Sequence, residues 1–259
     1  MVTEQPTNWI LLRGLARESA HWGEFLPALQ HAFPNSTLHP LDLPGTGQYY
    51  QATSPSSVAA ITDNLRARVL AQGLLDQSVG IIAVSLGAMV AWDWRQRFPD
   101  DSSATVLMNT SFAGVSPFYQ RMRWQSIAKF LSLMAQQDIA RRETDIVSLV
   151  SNNPANYSRI AEQWTAIQTR RPISLTNSVR QIIAAARFRP SLTTSQPNVL
   201  LLNSQGDRLV APMCSEAISQ QWELELHTHP WAGHDLTLDA SDWVIEQIQQ
   251  WLSMTPSIA

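Results

Sequence analysis

Three residues far apart in the sequence, Ser85, Asp207 and His234, have the types that nucleophilic acyl transfer requires. Ser85 lies in Ala83-Val84-Ser85-Leu86-Gly87, where an apolar run gives way to a helical pattern. A serine in such a strand-to-helix turn is strained, and small residues two before and two after it let the turn close. The turn also aims a helix N-terminus at the serine, which favours developing negative charge. The pentapeptide is weak alone, because a buried serine in a strand turn reads the same way. Its weight comes from Ser204-Gln205-Gly206-Asp207-Arg208-Leu209-Val210 and Ala232-Gly233-His234-Asp235-Leu236, each following an apolar run. Asp207 by itself could equally cap the helix after it. His227 and His229 fall within or just past the last strand rather than in the loop beyond it. His234 is therefore the candidate base, and the other two histidines are assigned structural roles.

The elements that must position these residues follow from the pattern of apolar runs. Trp9–Leu12, Thr37–Leu41, Val79–Val84, Thr105–Met108, Asn198–Leu202 and Glu223–His227 read as six strands, several of them unalternating and thus buried on both faces. Between them, helical patterns cover His21–Ala32, Ser56–Gln72, Leu86–Phe98 and Met213–Gln220, and Ser241–Leu252 closes the series. Strands alternating with helices mean βαβ units and a parallel sheet. The interval 112–190 breaks the alternation, with helical periodicity and no convincing strand. In such sheets ligands bind beyond the carboxyl ends of the strands, where Ser85, Asp207 and His234 all fall.

Ser, then Asp, then His, with the turn Leu41-Asp42-Leu43-Pro44-Gly45-Thr46-Gly47, resembles the α/β-hydrolase family over nearly the whole chain outside 112–190. The resemblance implies an α/β-hydrolase fold: a mostly parallel sheet flanked by helices, with a helical lid inserted between two strands. It divides the chain into core residues 1–111, lid residues 112–190 and core residues 191–259. It also assigns roles: Ser85 as nucleophile, His234 as base, Asp207 orienting the imidazole. The oxyanion hole would use the backbone N–H of Leu86 and that of Leu15, in Leu12-Arg13-Gly14-Leu15-Ala16. The family usually has His-Gly in that loop. Arg13 departs from the pattern, and a salt bridge or contact with a substrate anion are both open to it. The expected function is a serine hydrolase cleaving a carboxylic ester or thioester through an acyl-enzyme on Ser85, with similarity to acyl-carrier-protein methyl esterases. Two alternatives are a pyruvate-eliminating lyase of the same fold, like the menaquinone-pathway enzyme, and a non-catalytic small-molecule receptor on a hydrolase scaffold. Because the base must be neutral, activity should fall below about pH 6–7.

No cofactor or metal is expected: the chain has no G-x-x-x-x-G-K and no His/Cys pair at ligand spacing. The lone Cys214 rules out a disulfide scaffold and reads as a small buried hydrophobe. The 259 residues are 44% hydrophobic and only 15% charged, which excludes disorder. No apolar run reaches the roughly 18 residues of a membrane span. Met1-Val2-Thr3-Glu4-Gln5-Pro6 lacks a secretory pattern, so a cytoplasmic location is expected. The net charge of −3 is divided unevenly: 112–190 holds ten arginines and one lysine against four acids, a net of +7, leaving −10 elsewhere. That asymmetry suggests either helices docked on an acidic core or a landing site for an anionic or carrier-bound substrate, and nothing points to nucleic acid. Aromatics of the same segment should form its core and contribute a wall to an apolar acyl pocket. Trp124, Arg187 and Arg13 are the candidate substrate contacts.

Overall fold

The computed structural model describes residues 6–192 and 198–254. Residues 1–5, on which the expectation of no leader rests, lie outside them. Six strands form one sheet: β1 (Asn8–Leu12), β2 (Thr37–Leu41), β3 (Val79–Val84), β4 (Ala104–Met108), β5 (Val199–Ser204) and β6 (Glu225–His229). Their order is β2-β1-β3-β4-β5-β6, and every pairing is parallel. The four inner strands are buried throughout, which is why their sequences do not alternate. The edge strands β2 and β6 are partly exposed and correspondingly more polar.

Successive inner-strand residues feed two cores. Ile10, Leu12, Ile81 and Leu201 pack on one face with α2 (Val58–Ala71), α3 (Leu86–Arg97) and Ile218 of α9 (Met213–Trp222). Trp9, Leu11, Ile82 and Leu202 pack on the other with α1 (Phe25–Ala32) and α11 (Ser241–Met254). The sheet is thus covered on both sides. β2 lies on one side of β1 and β3 on the other, so the order in which strands are added reverses at β1 while all strands stay parallel, the place where such sheets open a crevice.

Several boundaries differ from the sequence reading by one or two residues, among them β5, which ends at Ser204 rather than Leu202, and two differences have a visible cause. The helix expected over His21–Ala32 is a 3-10 turn, Ser19–Trp22, followed by α1; Gly23 takes φ +49° and divides them. The last strand begins two residues later than expected, because Glu223 adopts a left-handed conformation that ends α9. Between β4 and β5 lie α4 (Phe118–Arg121), α5 (Trp124–Ala135), α6 (Ile139–Val150), α7 (Tyr157–Arg170) and α8 (Leu175–Arg187). Helices α6 and α7 share a small core of Val147, Val150, Ile160, Ala161 and Trp164. After β6 a short α10 (Leu236–Asp239) precedes α11.

Candidate active site

Ser85 follows β3 and stands at the N-cap position of α3 with φ 55° and ψ −115°, a conformation costly for a residue with a Cβ. Three bonds hold its backbone: Ser85 N–H donates to Met108 O at 2.9 Å, and Ser85 O accepts from Thr110 Oγ1 at 3.0 Å and from Met89 N–H at 3.2 Å. Gly87 is required for a close approach. A Cβ there would sit 2.5 Å from Leu12 O and 2.6 Å from Arg13 O, so any side chain would force α3 off the end of β1. Gly14 fits the same crowding, since its Cβ would lie 3.1 Å from that of Ser85. The first-strand loop and the serine turn are in contact.

Asp207 is 1% exposed and uses both carboxylate oxygens. Oδ1 accepts from Leu209 N–H at 2.7 Å and Val210 N–H at 3.0 Å; Oδ2 lies 2.7 Å from His234 Nδ1. Asp207 does not cap the following helix, which begins at Met213 with Pro212 at its N-cap; its Oδ1 instead closes the loop before that helix, and its Oδ2 faces the imidazole. An ionised carboxylate only accepts, so Nδ1 carries the proton and Nε2 is left as the basic nitrogen. Burial disfavours the imidazolium, but the adjacent Asp207 charge and its hydrogen bond outweigh that and hold the His234 pKa above its ordinary value.

The backbone carrying His234 is fixed by a residue that sequence reasoning missed. Asn109, just past β4 with φ 46°, donates through Nδ2 to His234 O at 2.9 Å and Gly233 O at 3.3 Å, and its Oδ1 accepts from Ser204 N–H at 3.1 Å. The signal was present: Asn109-Thr110-Ser111 is a polar run at the carboxyl end of a buried strand. The Asp42 turn is likewise structural, its carboxylate accepting from Ser19 N–H at 2.6 Å and Gln48 N–H at 2.9 Å.

Ser85, His234, Leu15 and Leu86 all line one cavity of about 900 Å³. Leu86 is the first residue of α3, where a backbone N–H has no intrahelical acceptor. Leu15 precedes Ala16, whose φ of 58° is held by Gln181 of α8, with Ala16 N–H donating to Gln181 Oε1 at 2.9 Å. The remaining wall is mostly apolar and comes from α4 to α8, including Phe130, Leu133, Ile146, Trp164 and Ile182.

The three candidate substrate contacts fare differently. Arg13 lines the cavity, but its guanidinium is paired with Asp235. Trp124 is 69% exposed, and neither it nor the exposed Arg187 lines the cavity. Arg121 does line it, donating to Ala185 O at 2.6 Å and Ala186 O at 3.0 Å, so it caps the end of α8. Cys214 is buried, and burial pushes its thiol up to about 11, which makes it a poor nucleophile. His227 bonds to Gln247 and Glu225, while His229 sits between Trp231 and Trp243; both lie in β6, away from the serine turn. Among the described residues no cluster of three metal-ligating side chains occurs, and no helix is long and apolar enough to cross a membrane.

The fold is shared with several solved structures. An esterase from Rhodococcus sp. ECU1013 is 16% identical with a TM-score of 0.77, covering 98% of this chain and 94% of its own. A thermophilic esterase from Thermogutta terrifontis is 16% identical, TM-score 0.73, covering 99% and 93%. The 2-hydroxy-6-oxo-6-phenylhexa-2,4-dienoate hydrolase from Rhodococcus sp. strain RHA1 is 19% identical, TM-score 0.74, covering 95% and 90%. No curated protein matches in sequence. The profile described as "Alpha/beta hydrolase family" matches residues 9–247, and with the parallel sheet and the serine turn at its β3 end, the chain belongs to the α/β-hydrolase family.

Proposed function

We propose that this protein is a serine hydrolase that cleaves a carboxylic ester or thioester through an acyl-enzyme on Ser85. The observation that supports this best is the shared cavity: a serine at positive φ and a histidine backed by a buried carboxylate at 2.7 Å line the same wall. In this reading Ser85 Oγ attacks the carbonyl carbon while His234 Nε2 takes its proton, and Asp207 stabilises the resulting imidazolium. The N–H groups of Leu15 and Leu86 donate hydrogen bonds to the carbonyl oxygen as negative charge develops on it, each worth on the order of 10²–10³ in rate. His234 then protonates the leaving alcohol or thiol. Water, deprotonated by the same nitrogen, releases the acid and regenerates the serine. No cofactor takes part.

The substrate proposed is a small molecule with an apolar acyl chain, because the wall beyond Ser85 is built from aliphatic and aromatic side chains of α4 to α8. We assign those helices, within 112–190, the role of a lid over the core formed by 1–111 and 191–259. The exposed Arg141, Arg159, Arg170, Arg187 and Arg189 lie on it and could receive an anionic or carrier-bound leaving group outside the cavity. A buried, single cysteine suits the reducing cytoplasm, the compartment we propose.

Two measurements test the reading. A fluorophosphonate probe should label the wild-type protein and not Ser85→Ala. A panel of p-nitrophenyl esters from acetate to laurate should show turnover that rises with chain length before it falls. Labelling without ester turnover would shift the assignment to a lyase of the same fold. Absence of both, with a small acyl ligand still bound, would make the protein a receptor.

A further inference from the structure

Arg13 stands two residues before Leu15, and Asp235 directly follows His234. Their side chains meet under cover, 4% and 5% exposed. Arg13 Nη2 is ion-paired with Asp235 Oδ2, while Nη1 lies 3.3 Å from Asp235 Oδ1 and 3.3 Å from Thr237 Oγ1. Thr237 Oγ1 also donates to Asp235 Oδ1 at 2.9 Å. The guanidinium lies 4.8 Å from the centre of the Trp22 ring. A two-point contact of this kind fixes direction as well as distance, which a single hydrogen bond does not. Its two ends belong to the loop after β1 and the loop after β6, so one pair spans the gap between the candidate oxyanion donor and the candidate base.

The charges around His234 give the pair a second consequence. Three charged groups face the imidazole: Asp207 from the loop after β5, Asp235 from its own loop, and Arg13 from the loop after β1. The other ionisable side chains on the cavity wall are Arg17, Arg121, Arg142 and Glu143. Arg17 and Glu143 pair with each other at 2.6 Å, and Arg121 is held on the α8 carbonyls. Arg13 opposes protonation of His234 and Asp235 favours it. Bound together, they present a nearly neutral unit, and Asp207 remains the one uncompensated charge against the ring.

We propose that Arg13 and Asp235 are positioning residues: their pair locks the Leu15 loop to the His234 loop and cancels its own field at His234. The inference rests on the reading of His234 as the base. It also explains why the loop carries arginine where the family usually carries histidine, since an imidazole can neither span to Asp235 in two-point fashion nor stay charged at neutral pH.

The test is an NMR titration of His234 in the full-length chain, its ring signals identified by their loss in His234→Gln. Asp235→Asn keeps the shape and removes one charge, leaving Arg13 uncompensated. The His234 pKa should then fall by about one, a tenfold loss of proton affinity. Adding Arg13→Gln should return it to within about 0.3 of wild type. On a p-nitrophenyl ester, Asp235→Asn should lower kcat about tenfold with KM changed less than about twofold, and move the acid limb of the rate to lower pH. Arg13→Lys keeps the charge and loses the fork, so the pKa should hold while kcat drops. That variant tests the positioning half even if Asp235→Asn does not fold. A His234 pKa indifferent to Asp235→Asn, a double variant that does not restore it, or an Arg13→Lys enzyme with wild-type kcat would each overturn the proposal. If the pKa shifts appear as stated while wild-type protein neither labels nor turns over esters, the pair stands and the acyl-transfer reading falls.

Discussion

Replacing Asp207 by asparagine is the sharpest probe of the site, because the structure dictates which way the new amide must face. Asp207 Oδ1 accepts two backbone N–H groups, from Leu209 and Val210, and an asparagine can satisfy both only with its carbonyl oxygen. The NH2 group is then left where Oδ2 was, 2.7 Å from His234 Nδ1, and must donate to it. Nδ1 becomes an acceptor, the proton moves to Nε2, and the nitrogen that should take the Ser85 proton no longer has a lone pair. A wrong tautomer of this kind costs about 10⁴ in kcat in a serine triad.

The electrostatic loss acts in the same direction. Opposite charges about 4 Å apart interact by about 4 kcal/mol at an effective dielectric constant of about 20. Even a fraction of that lets burial dominate, so the His234 pKa falls from above its ordinary 6.5 to below it. With neutral His234 as the proposed base, wild-type activity should decline as pH drops through a value above 6.5, and the residual activity of Asp207→Asn should persist to lower pH. Steady-state hydrolysis of a p-nitrophenyl ester from pH 5 to 9, with thermal melts to show that the fold survives, measures both. A loss smaller than about tenfold, or an acid limb that stays where it was, would refute the argument.

Other substitutions report on the scaffold. His21 is buried neutral, its pKa depressed well below the ordinary value by burial and then by Arg17 and Arg13. The unfolded chain therefore binds a proton that the folded one refuses, and stability should fall as pH drops below 6.5, by up to about 1.4 kcal/mol per pH unit. His21→Gln should flatten that slope in melts between pH 7 and 5. Gly87→Ala drives a Cβ into two backbone oxygens and should cost about 2–3 kcal/mol in denaturant unfolding and most of the activity. Ile146→Trp fills part of the apolar wall and should shorten the acyl chain preferred in the ester panel, with little change in acetate turnover.

The parallel sheet and the positions of Ser85, Asp207 and His234 were legible because each depends on local pattern: an unbroken apolar run, then a turn with the right residue in it. The contacts that hold those residues in place were not, because they join side chains far apart in sequence. Asn109 reaches the His234 loop across 125 residues, and Gln181 reaches Ala16 across 165. Composition gives no hint of either, as a buried asparagine or glutamine is indistinguishable in sequence from one on a helix surface. Arg13 shows the same limit, since its partner follows from the fold and not from the loop it occupies.

The positive charge of the 112–190 segment illustrates how a composition figure can describe packing before it describes recognition. Arg171 pairs with Glu18 at 2.5 Å, and Arg123 donates to Asp207 O at 2.6 Å. Arg180 donates to Ser54 O, and Arg142 lies 3.6 Å from Glu143. Three of these contacts, those of Arg171, Arg123 and Arg180, run from the inserted segment to loops of the core. The arginines thereby help to fix the inserted helices on the core, and the Arg123 bond reaches the backbone of the aspartate that is hydrogen-bonded to His234. The helices that shape the apolar wall and the carboxylate that polarises the histidine are thus parts of one hydrogen-bonded frame, so a change at Arg123 should be felt in catalysis and in chain-length preference together.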